Sequence, residues 1–116
     1  MLEIINDNVI RFTKGDSIAL DVDLKNTDGT KYTMQEGDSL KMTIRKSISE
    51  TPVATVSSTI PKIIIKPTIT SELNAGKYCY DIELITADND VYTIIGIRNE
   101  CERNLIVFPE VTTQDE

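Results

Sequence analysis

The chain has 116 residues and a mass of 13.0 kDa, the size of one domain, with 12 Lys and Arg against 19 Asp and Glu. A net charge of −7 with no basic run longer than Arg45-Lys46 argues against phosphate-rich partners, so neither nucleic acid nor an anionic membrane surface is expected to bind. The absence of His removes Ser-His-Asp, Cys-His and His-zinc chemistry, and 17 Ile, 7 Val and 14 Thr against 4 Ala and 7 Leu disfavour a helical bundle.

Period-two alternation then marks the strands in chain order. A first strand is read over residues 9–12. Over 17–25, Ile18, Leu20, Val22 and Leu24 alternate with Ala19, Asp21, Asp23 and Lys25, which predicts a strand with one dry and one acidic face. Asp28-Gly29 follows as a hairpin or turn signature, because Asp-Gly supplies the positive φ of a tight reversal. Leu40, Met42 and Ile44 alternate with Lys41, Thr43 and Arg45 in the next strand, and further strands are read over 53–58 and 62–66. Residues 68–75 have room for one helical turn before Gly76. Over 77–86, Tyr78, Tyr80, Ile82 and Leu84 share a face while Asp81 and Glu83 lie on the other. The segment 87–90 is the next hairpin, and strands over 91–97 and 104–108 complete the set.

Pro52, Pro61, Pro67 and Pro109 stand at or near strand ends, where a missing N–H is tolerated. Gly15-Asp16-Ser17 and Gly37-Asp38-Ser39 echo each other, which reads as one strand-entry turn used twice. Tyr78, just after Gly76, is placed to bury its ring and bond backbone through its hydroxyl, the tyrosine corner of Greek-key sandwiches. The expected fold is an all-β antiparallel sandwich of seven or eight strands. It forms a single domain over residues 1–112, with 113–116 as a flexible polar tail.

No chemical site emerges. Asp21 with Asp23, and Asp81 with Glu83, are carboxylate pairs of the kind glycoside cleavage uses, yet without a cleft they read as solvated faces. Asp88-x-Asp90 opens like a calcium loop but has Thr93 at its glycine position and Asn99 at its bidentate position. Phosphate-loop, dinucleotide and C-x-x-C motifs are absent. Cys79 and Cys101 read as two reduced thiols, with a bridge between neighbouring strands as the alternative. Catalytic, cofactor and metal residues are accordingly all expected to be none. Tyr32 and Tyr92 remain as the candidate exposed aromatics of a binding module, adhesive or directed to carbohydrate.

The order of segments carries a resemblance. Phe12-Thr-Lys-Gly15-Asp16-Ser17 comes first, then Asp28-Gly29-x-x-Tyr32, then Gly37-Asp38-Ser39-Leu40-Lys-Met-Thr-Ile-Arg45-Lys46. Leu73-x-x-Gly76-x-Tyr78-x-Tyr80-Asp81-Ile82-Glu83-Leu84, Val91-Tyr92-Thr93-Ile94 and the ending Glu110-Val111-Thr112 follow. Together they are similar to a family of small phage and prophage structural proteins, which resemble the immunoglobulin-like amino-terminal domain of phage baseplate upper proteins. Residues 48–66 and the two cysteines stand apart from that pattern. The resemblance implies a non-enzymatic tail or baseplate subunit, with other phage structural proteins and further copies of itself as partners. It also implies a path from host cytoplasm to virion. The start Met1-Leu-Glu-Ile-Ile-Asn-Asp-Asn is not a secretory signal, which agrees.

Overall fold

The alternation written into the sequence is followed closely by the backbone. The computed structural model describes residues 3–5, 9–26, 28–47, 49–95 and 103–109. They form β1 (Glu3–Ile5), β2 (Val9–Thr13), β3 (Ile18–Asp21), β4 (Ser39–Arg45) and β5 (Pro52–Ser58). Next come β6 (Lys62–Ile65), the single helical turn α1 (Pro67–Thr70), β7 (Gly76–Ile85), β8 (Val91–Ile95) and β9 (Leu105–Phe108). The fold is all-β, as the β-branched composition requires. Expected features at residues 96–97, at Asn99 and Cys101, and from Glu110 to the end lie outside the described residues.

Seven strands make one sheet in the order β1-β2-β9-β7-β4-β5, with β8 also on β7, while β3 and β6 form a second sheet. Two points depart from the sequence expectation. The described residues hold nine strands, and one pair, β2 with β9, is parallel. Alternation reports which face a residue occupies but not the direction of its neighbour. A parallel pair joining Ile10 to Leu105 is therefore invisible to it.

β7 is the spine. One edge pairs with β4 from Cys79 to Ile85; the other pairs with β9 over Gly76–Tyr78 and with β8 over Ile82–Ile85. The gap at Tyr80 is filled by a side chain. The Asn104 amide accepts from the Tyr80 N–H at 2.8 Å and donates to the Tyr80 carbonyl at 3.1 Å, standing in for a missing strand residue. Both Tyr80 backbone groups thus point away from β4. By period two, Ile44 and Met42 turn their backbone groups toward β5, and Thr55 and Ser57 turn theirs away from β4.

The core lies between the sheets. Leu40, Met42, Ile44, Tyr80 and Ile82 face Ile18, Leu20, Ile63 and Ile65 in one continuous apolar cluster. Complete burial of each such side chain contributes about 1.5–3 kcal/mol. The alternation read over 17–25 persists in the side chains, since Val22 and Leu24 are buried and Asp23 is exposed. The β3 ladder nevertheless stops at Asp21, after which Val22 N–H donates to the Pro61 carbonyl at 3.0 Å. Beyond it the extended backbone stays bonded, the Leu24 carbonyl accepting from the Tyr32 N–H at 2.9 Å beside a Lys25–Lys31 bridge.

The two Gly-Asp-Ser segments are the same device. Asp16 N–H donates to the Thr13 carbonyl and Asp38 N–H to the Gln35 carbonyl, with Gly15 and Gly37 both at φ 92°. This is the type II turn, which needs positive φ at its third residue. The two hairpin turns are a second repeated device. Gly29 N–H reaches the Asn26 carbonyl and Asn89 N–H the Thr86 carbonyl, and Gly29 and Asn89 take the left-handed conformation that ends a three-residue loop. The helical turn lies within the span expected for it, except that it begins one residue earlier. It is tied down where the Thr70 hydroxyl donates to the Asp16 carbonyl at 2.7 Å.

Candidate interaction surface

The loop between β3 and β4 meets the β7–β8 hairpin at one end of the molecule, and Asp38 fastens them. Its carboxylate accepts from the Tyr32 hydroxyl and from the Gln35 N–H, the latter at 2.9 Å, and the Ala87 N–H across the hairpin adds to the stabilisation of its charge. The Tyr32 hydroxyl, then these backbone donors, hold the carboxyl below the usual carboxylate range. The same bond, with burial and the Asp38 charge, raises the Tyr32 phenol. Gly37 leaves no space here, because a Cβ added to it would lie 2.6 Å from that of Ala87.

Beside this clamp runs a groove of about 540 Å³ whose walls include Leu24, Tyr32, Leu84, Tyr92 and Ile94. Tyr32 is half-buried and tethered by its hydroxyl, whereas Tyr92 is 55% exposed. The two aromatics singled out in the sequence therefore share one groove, and Tyr92 is the more exposed of the two. Asp38 was legible only as part of a turn. Its role depends on Ala87, 49 positions along the chain, and no local signal announces it.

The acidic pairs do not converge. Asp21 and Asp23 are exposed on the β3 side, with Lys62 Nζ 3.7 Å from Asp21 and Lys25 Nζ 3.6 Å from Asp23. Asp81 and Glu83 lie on the outward face of the large sheet, beyond the core. Burial pushes the Asp81 carboxyl up and Glu83 adds to it, against Arg45, whose Nη1 stands 3.9 Å away. Asp88 and Asp90 belong to the β7–β8 hairpin turn, where Thr86 N–H donates to the Asp90 carbonyl at 2.9 Å. Among the described residues no three His, Cys, Asp or Glu side chains gather as a metal site would require.

Tyr78 is buried and its hydroxyl donates to the Asn74 carbonyl at 2.8 Å, the backbone bond anticipated for it. Lys46 Nζ sits 5.6 Å from its ring centroid, a cation–π contact. Cys79 is a buried free thiol on the outward face of β7, opposite Arg45, and burial raises its pKa; its sequence-level partner Cys101 is outside the described residues. No helix among the described residues is long and apolar enough to cross a membrane. Compared with family models, with curated protein sequences and with solved structures, the chain gives no match.

Proposed function

We propose that the chain is a non-enzymatic assembly subunit of a phage or prophage particle, associated with the tail or baseplate, built on an immunoglobulin-like Greek-key sandwich. The observation that carries the reading is the coincidence of the resemblance-bearing segments with the fold's fixed points. Gly15-Asp16-Ser17 and Gly37-Asp38-Ser39 are the two type II turns, and Tyr78 makes the corner bond to Asn74. The parallel β2–β9 pair and the β3–β6 sheet facing it are compatible with that architecture. The perturbed carboxyl Asp81 lies on the outward face of the large sheet, apart from the groove that Tyr32 and Tyr92 line. The test is composition. Particles purified from a producing host are expected to contain the chain in fixed stoichiometry, and deletion of its gene is expected to arrest tail assembly. Complete, infective particles lacking the chain would refute the proposal.

A second reading, a small binding module, is favoured by Tyr92, whose exposed ring borders the groove. Under it, a glycan array gives hits that Tyr92→Ala abolishes. An array without hits removes the carbohydrate version.

A further inference from the structure

We infer that β5 is a self-association edge, along which two copies of the chain pair antiparallel about a two-fold axis at Thr55. Among the described residues β5 pairs only with β4, so its other edge is open. Such edges are normally blunted by a charge, an interior proline or a covering segment. Among the described residues β5 has none of these: its only proline, Pro52, is its first residue, and Val53, Thr55 and Ser57 are exposed. From Thr51 to Pro61 no residue is charged, the longest such stretch in a chain of net charge −7.

The occupant follows from charge and register. Two copies each bearing −7 repel over most approaches, and the uncharged edge is where they meet without opposed like charges. The backbone groups of Thr55 and Ser57 point outward, as the Asn104–Tyr80 bonds require. Centring on Thr55 pairs it with itself, puts Val53 across from Ser57, and aligns Ala54 with Val56 on the core side. A two-fold axis normal to the sheet keeps core faces on the same side, so each pair joins chemically compatible residues. One strand pair falls short of the roughly 1,000 Å² of a stable interface. The contact is therefore weak and concentration-dependent.

This inference takes its biological setting from the assembly reading, while the contact itself concerns this chain alone. Light scattering from micromolar to near-millimolar protein is expected to show a monomer–dimer equilibrium. Thr55→Pro removes an outward N–H that the β4 ladder does not use, so it abolishes the dimer and leaves the monomer folded by circular dichroism. Thr55→Lys is a second variant, weakening the dimer by roughly tenfold or more. In the wild type, amide exchange at Thr55 and Ser57 slows with concentration, whereas the Ala54 and Val56 amides are protected throughout. A strict monomer at every concentration, or a dimer unchanged by both variants, overturns the inference. Neither result touches the particle-composition test, so the two proposals fail separately.

Discussion

Gly37 sits under two constraints where Gly15 has one. Both occupy φ 92°, which costs an L-residue about 1–2 kcal/mol, but only Gly37 faces a neighbour, the Ala87 side chain. Gly15→Ala is thus expected to destabilise by about 1–2 kcal/mol and Gly37→Ala by about 2–4 kcal/mol. Adding Ala87→Gly to Gly37→Ala is expected to recover the steric part, which denaturant titration of the double-mutant cycle measures. The neighbouring carboxylate gives a pH signature. Asp38 is held in its ionised form, so its contribution is complete above about pH 4 and is lost as pH falls through its depressed value. Asp38→Asn should lower the melting temperature at neutral pH, with the gap closing in acid. Asp81 carries the opposite sign. Its raised pKa means that ionisation costs stability as pH rises past about 4, so Asp81→Asn should stabilise at neutral pH and change little in strong acid. Melting curves of the three proteins across the acid range test both signs.

At the scale of elements, the amide of Asn104 joins β8 and β9 into one edge of β7. Its removal in Asn104→Ala strands a buried N–H and carbonyl at Tyr80, and is expected to cost about 2–4 kcal/mol in denaturant titrations. Asn104 also shows where sequence reading stops. The alternation of β4 and β7 is local and strong, because each strand has one face on the core, and both were legible nearly to their ends. β1 carries no such pattern, and a side chain completing a ladder leaves no periodic trace. The turns were legible for a different reason: Gly15, Gly37 and Asp28-Gly29 announce positive φ by their chemistry. At the groove, Tyr32 and Tyr92 could be picked out as aromatics, but their adjacency arises from the packing of two loops far apart in sequence.

For the whole molecule, both sheets feed one apolar cluster, so neither has a core of its own. Unfolding is expected to be a single transition, with tyrosine fluorescence and far-ultraviolet circular dichroism giving superimposable denaturant curves. Separate midpoints would mean that the β3–β6 pair detaches before the large sheet. The placement of Cys79 makes that distinction accessible without any introduced label. Its sulfur lies buried in the centre of the large sheet, and burial holds the thiol in its unreactive protonated form. In a Cys101→Ser background, the rate at which a thiol reagent captures Cys79 under native conditions becomes a clock for the opening of the β4–β7 seam. The protein thus carries its own reporter of how often the middle of its sheet comes apart.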